Sequence, residues 1–289
     1  MFLVAWLLIV SLPQSPAPAT LFDYDASRPL DVKETARRED GGALLRDITY
    51  ATLGGGTNAA TLITPTTPAR QPAPAILFVH WYGPPAPTSN RTQFMPDGIA
   101  LARQGVTSLL IDTPWSVPTY FRSRSREEDY ARSVQQVRDL RRALDVLMAQ
   151  PNVDRARVAY VGHDFGAMYG TLAAAVDPRV THVVFMAGTA SFSDWFLYGP
   201  KMEDEPRKRF IAQLAPLDPV KWVPKLRGPV LMQFADTDEH VSTARRELLA
   251  EAAPKGADVR VYKAGHELNP QATRERLEWL RKTLALSDR

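Results

Sequence analysis

Five residues, Gly162-His163-Asp164-Phe165-Gly166, follow the apolar run Val158 to Val161 and precede a stretch of small residues with helical character. A sharp strand-to-helix turn needs glycine on either side, because a Cβ there meets the neighbouring strand or helix, and it pushes the central side chain into the open. The central side chain here is a carboxylate. At a helix N-terminus the macrodipole and free backbone N–H groups hold an Asp ionised, which makes Asp164 an available nucleophile. Attack on a carboxylic ester would give a mixed anhydride, a high-energy product. Attack on saturated carbon bearing an epoxide oxygen or a halide gives an ordinary alkyl ester, which a histidine can hydrolyse by activating water. His266, in Ala264-Gly265-His266-Glu267, is placed for that step, and Asp236 and Asp238, in Asp236-Thr237-Asp238-Glu239-His240-Val241, are the carboxylates able to orient it. Chain order is nucleophile, acid, histidine.

These residues need strands that deliver them to one edge. Ile76 to Val79, Val106 to Ile111, Val158 to Val161, Val180 to Met186, Val230 to Phe234 and Val259 to Tyr262 are short apolar runs with strand composition. Between them lie helical patterns, the clearest over 127–149 with Tyr130, Val134, Val137, Leu140, Leu144 and Leu147 on one face and Pro151 closing it. Alternation of this kind predicts a mostly parallel sheet with helices on both faces, and in such sheets the chemistry gathers at the carboxyl ends of the strands. His80-Trp81-Tyr82-Gly83 ends the first central strand, where the backbone N–H of Trp81 or Tyr82 can complete an oxyanion hole with that of Phe165. Upstream, Ile48 to Leu53 and Ala59 to Ile63 flank Gly54-Gly55-Gly56 and predict a hairpin, followed by a proline-rich connector over 64–74.

The elbow, the late acid and the Gly265-His266 pair together resemble the α/β-hydrolase superfamily, from Arg46 to the C-terminus. The resemblance implies a single α/β-hydrolase domain over 46–289 with a short or minimal cap, and residues 20–45 as an extended segment before it. Strand spacing, the proline-rich entry and the short stretch between Ala187 and Arg227 look most like the dienelactone-hydrolase-like branch. That branch uses Cys and related esterases use Ser, whereas Asp in Gly-His-Asp-aromatic-Gly is similar to epoxide hydrolases and haloalkane dehalogenases. In these families the acid typically ends a Gly-x-x-Asp-x-x-Val stretch, which places Asp238 at the match with Ala235 in place of the Gly; Asp236, nearer the strand end, remains an alternative. Dehalogenases commonly follow the nucleophile with Trp, but Phe165 has no donor. Epoxide opening is therefore expected, with Tyr198, Tyr82 or Tyr120 as the acid. The expectation is an Asp-His-Asp hydrolase working through an alkyl-enzyme ester. The alternatives are an esterase or lactonase of dienelactone-hydrolase type in which Asp164 acts as a base or by an unusual acyl route, and a non-catalytic ligand-binding homologue.

At 289 residues and 45% hydrophobic content the chain can bury a full core. No cofactor is expected: there is no cysteine, and no pair of histidines has metal-ligand spacing. His163, His80, His182 and His240 read as structural. A net charge of +3 with both signs interspersed is too small to argue for nucleic acid, and the resemblance implies a small-molecule substrate. Trp81, Tyr82, Trp115 and Tyr198 are expected to line an apolar pocket, with Trp195 and Phe196 nearby. The uncharged residues 1–19, apolar from Phe2 to Leu12 and ending in Ala17-Pro18-Ala19, predict an export signal and a periplasmic or secreted protein without stable membrane insertion once it is removed.

Overall fold

The computed structural model describes residues 21–67, 71–199 and 201–286; the expected export signal lies outside them. Nine strands form one sheet: β1 (Lys33–Asp40), β2 (Ala43–Ala51), β3 (Thr57–Pro65), β4 (Ala73–Val79), β5 (Thr107–Ile111), β6 (Val153–His163), β7 (His182–Met186), β8 (Val230–Ala235) and β9 (Asp258–Tyr262). Their spatial order is β1-β2-β3-β5-β4-β6-β7-β8-β9. The first three strands and the β3–β5 pair run antiparallel, and from β5 to β9 every neighbour is parallel.

The central strands are buried along their whole length, which is why β4, β5, β7 and β8 read as continuous apolar runs. Their side chains alternate between two cores. Ala75, Leu77 and Val79 of β4 face one side with Leu140, Leu144 and Leu172, whereas Ile76 and Phe78 face the other with Leu101, Trp279 and Leu280. The helices that close the two faces are α1 (Met95–Ala102), α2 (Tyr120–Ser123), α3 (Asp129–Met148), α4 (Phe165–Val176), α5 (Phe192–Phe196), α6 (Asp204–Leu214), α7 (Pro219–Trp222), α8 (Thr243–Glu251) and α9 (Pro270–Thr283). Of these, α5, α6 and α7 lie between β7 and β8, in an insertion of modest size. No described helix is long and apolar enough to cross a membrane.

The N-terminal segment is more tightly built in than its sequence suggests. Lys33–Asp40 pairs with β2 as an edge strand, and Phe22 is fully buried with its ring 5.3 Å from that of Trp222. Arginines of α3 hold the rest: Arg141 Nη1 donates to the Phe22 carbonyl at 2.7 Å, and Arg142 Nη2 donates to the carbonyls of Arg28 at 2.7 Å and Pro29 at 2.5 Å. The tyrosine hydroxyl of Tyr24 donates to Asp145 at 2.8 Å.

The turn from β6 into α4 has the steric reason expected of it. A Cβ on Gly162 would lie 2.3 Å from the Gly166 carbonyl oxygen, and one on Gly166 would lie 2.2 Å from that of Val79. Both contacts are with backbone, so neither can relax by moving a side chain.

Candidate active site

Asp164 sits at the apex of that turn with φ +55° and ψ −116°, a conformation that costs a non-glycine residue about 1–3 kcal/mol. Its amide donates to the Met186 carbonyl at 2.9 Å, tying the elbow to β7. Its side chain is entirely buried. One carboxylate oxygen, Oδ2, accepts the backbone N–H of Tyr82 at 3.0 Å, and the other, Oδ1, has no partner within the protein.

The loop after β9 brings His266 to the same place. Its Nδ1–H donates to Asp238, at 3.0 Å from Oδ2 and 3.1 Å from Oδ1, and its Nε2 is buried without a partner. Asp238 is itself fixed, because Oδ1 accepts the amides of His240 and Val241, each at 2.8 Å. Of the two carboxylates left open by the sequence, Asp238 is the one that meets the histidine. Asp236 accepts the Ala264 amide at 3.2 Å and is exposed. Glu239 adds a further anchor, its Oε2 accepting the His266 backbone N–H at 3.1 Å.

Burial pushes the Asp164 carboxyl up to about 7, against the opposing pull of the His266 charge and the Tyr82 amide. For His266 burial works against the charged ring, but the bond to Asp238 and the negative charges of Asp164 and Asp238 outweigh it and hold the imidazole above its ordinary range. Asp238 is likewise penalised by burial, yet its bonds and attraction to His266 keep its carboxyl low. The group thus combines one firmly ionised carboxylate, one readily protonated imidazole and one carboxyl able to exist in either form near neutrality.

The remaining expected residues divide. Tyr82 supplies an amide to Asp164, and Phe165 opens α4. Trp81 does not present its amide to the site: that N–H donates to Gln93 Oε1 at 2.9 Å, so of the two amides after β4 only that of Tyr82 faces Asp164, and it is already taken by the carboxylate. The Trp81 ring is nonetheless close, 5.4 Å from His163 and 6.2 Å from His266. Trp115 belongs to the core and not to a pocket wall: it is 1% exposed, stacks 5.3 Å from Tyr169 behind Phe165, and its indole N–H donates to the His80 carbonyl at 3.1 Å. Tyr198 lies on the outside, 59% exposed, against Trp195 and His240. Tyr82 donates its hydroxyl to the Pro118 carbonyl at 2.9 Å and packs with Tyr120, Phe121 and Phe165. His80 is held neutral by burial, its pKa down at about 4, with Nδ1–H on the Trp81 carbonyl and Nε2 taking hydroxyls from Thr113 and Ser116.

Two participants carry no signal in the sequence: Gln93, from the short 3-10 turn before α1, and Glu239, from the loop after β8, are not distinguished by residue type or spacing, whereas Trp195 is expected near the pocket. Trp195 of α5 lies 5.4 Å from His266 and 5.7 Å from Phe165, and its indole N–H, like that of Trp81, is buried without a partner. Among the described residues no three His, Cys, Asp or Glu side chains gather in a way that would hold a metal ion.

Comparison with known proteins agrees with this architecture. The model of the dienelactone hydrolase family matches residues 121–276. Solved structures with the same fold include an acetyl xylan esterase from Paenibacillus sp. R4, at 17% identity and TM-score 0.71, over 89% of this chain and 90% of that one. Acetyl xylan esterase 1 from Thermoanaerobacterium sp. JW/SL YS485 aligns at 18% identity and TM-score 0.70, over 91% and 90%. The α/β hydrolase GrgF from Penicillium sp. sh18 aligns at 16% identity and TM-score 0.60, over 87% and all of that chain. No curated protein matches the chain with significance.

Proposed function

We propose, for a chain that belongs to the dienelactone hydrolase family, that it hydrolyses a small ester or lactone by acid–base catalysis at Asp164, His266 and Asp238. The observation that carries this reading is the pair of unpartnered buried atoms, Asp164 Oδ1 and His266 Nε2, one able to take a proton and the other to give one. Asp164 Oδ1 removes a proton from water as the water oxygen bonds to the ester carbonyl carbon. The tetrahedral intermediate then collapses, the carbon–alkoxy bond breaks, and His266 Nε2 gives its proton to the departing oxygen. Transfer of the proton from Asp164 to His266 restores the starting state, and the product acid loses its own proton to solvent. Asp238 keeps the imidazole oriented and favours its charged form. The free indole N–H groups of Trp81 and Trp195 are donors at hand for the carbonyl oxygen. The similarity in fold to two acetyl xylan esterases supports the substrate class.

A second reading is favoured by one contact. Because Tyr82 donates to Asp164 Oδ2, the oxyanion position lies over the enzyme's own carboxyl group. That suits a route in which Asp164 Oδ1 bonds to an epoxide carbon as the carbon–oxygen bond opens and His266 Nε2 gives its proton to the departing oxygen, which leaves the imidazole neutral. Water deprotonated by His266 would then attack the Asp164 carboxyl carbon, with charge developing on Oδ2, and expel the diol.

Single turnover in heavy-oxygen water, with esters, lactones and epoxides offered in turn, separates the two. Acid–base hydrolysis places the label in the product acid and leaves the Asp164 peptide unlabelled, and His266→Gln accumulates no adduct. Label in Asp164, or a stable alkyl adduct on His266→Gln, replaces the first reading by the second. Absence of both turnover and adduct overturns both.

A further inference from the structure

The dipeptides Trp81-Tyr82 and His163-Asp164 face each other and are joined twice. Tyr82 N–H donates to Asp164 Oδ2 at 3.0 Å. One residue back in each, Trp81 N–H donates to Gln93 Oε1 at 2.9 Å, and the amide of Gln93 lies 2.6 Å from His163 Nδ1. The roles along this second path follow from the donors. A backbone N–H can only donate, so Gln93 must present its oxygen to Trp81 and its NH2 to His163, and His163 Nδ1 must accept. The imidazole proton is then on Nε2, which lies 3.0 Å from the His266 carbonyl, an atom that can only accept. The Trp81 ring covers the assembly, parallel to the His163 ring within 3°.

We infer that Gln93 and His163 are positioning residues that act as one unit, holding the Tyr82 amide on Asp164 and the His266 main chain at the distance its ring needs. The inference rests on the proposed role of Asp164 and His266, but the structure argues it independently of the substrate. Three loops meet at these two side chains, and each bond leaves its group no second choice of partner. The unit also requires His163 to stay neutral. A proton on Nδ1 would face the Gln93 NH2 and break the path. The charged groups that face His163 are His266, with Asp238 beyond it, and Arg276 of α9, itself paired with Asp97 of α1 at 2.7 Å. Burial and the neighbouring positive charges keep the ring uncharged.

Gln93→Leu and His163→Phe, alone and together, provide the test. Each single variant is expected to lower kcat about 10–100-fold, the effect of small misplacements in an active site, with KM little changed. The double variant should be no worse than either single one, because a broken unit cannot be broken again. Carboxyl NMR should show Asp164 titrating at higher pH in all three, since the Tyr82 amide no longer steadies its anion. A change in kcat below threefold with an unmoved Asp164 titration overturns the inference, as does strict additivity in the double variant. Should these variants fail to fold, imidazole nitrogen NMR of the unaltered protein decides: His163 must carry its proton on Nε2 and none on Nδ1 from pH 5 to 9, and a protonated Nδ1 overturns the unit. Neither NMR readout needs a substrate, so failure to find an esterase activity leaves this inference standing or falling on its own.

Discussion

Complete burial gives Asp164 a carboxyl that titrates at about 7 instead of its ordinary 3.8, and this difference is also a statement about stability. An acid whose folded pKa is raised stabilises the fold while it is protonated; the contribution is full below 3.8 and is lost as the pH rises through 7. The loss amounts to about 4 kcal/mol by the usual conversion. Asp164→Asn, which can still accept the Tyr82 amide, should therefore match the parent in thermal stability near pH 4 and exceed it by a widening margin up to pH 8. A melting-temperature series across that range checks the sign. The acid partner gives a second residue-scale prediction. Asp238→Asn removes the negative charge that raises His266 and should cut turnover about 10²–10⁴-fold, whereas Asp236→Asn, which makes no bond to the imidazole, should change it little. Steady-state kinetics of the two variants side by side would distinguish them. Asp164 and His266 were legible in the sequence because each follows an apolar strand run and sits in a motif with little freedom, and the carboxylate near the imidazole is narrowed there to Asp238 or Asp236. The division of labour between Trp81 and Tyr82 was not legible, since a one-residue choice of which amide faces inward depends on Gln93, which no motif links to that loop.

At the scale of elements, what the sequence announced and what it hid follow from burial. Strands β4, β5, β7 and β8, and the second half of β6, announce themselves because both faces are covered. β1 hides, for the opposite reason: all eight of its residues, Lys-Glu-Thr-Ala-Arg-Arg-Glu-Asp, are exposed, so it has strand hydrogen bonds without a hydrophobic period. The segment before β1 gives equally little warning, its one strong anchor being Phe22. That anchor should matter to the fold more than to the chemistry. Phe22→Ala is expected to cost about 3–5 kcal/mol of stability, the usual effect of emptying a buried aromatic site, with KM unchanged; denaturant titration and kinetics on the same preparation would show both.

Across the whole molecule, the sheet ends at β1 on one side, where charge replaces shape as the protection against association. Arg37 pairs with Glu34 at 2.7 Å and Arg38 with Asp47 at 2.9 Å, pairs too exposed to add much stability but well placed to repel another strand. Replacing Arg37, Arg38 and Glu39 by threonine should leave the melting temperature nearly unchanged while light scattering reveals growing self-association. The opposite concern, access, applies at the strand ends. Asp164 and His266 are no more than 1% exposed, and Trp195 and Trp81 over them are each 6% exposed. A site that solvent barely reaches admits a substrate and frees a product only when its aromatic cover parts. Thinning the cover at Trp195 should make the protein quicker to release its product and poorer at holding its substrate.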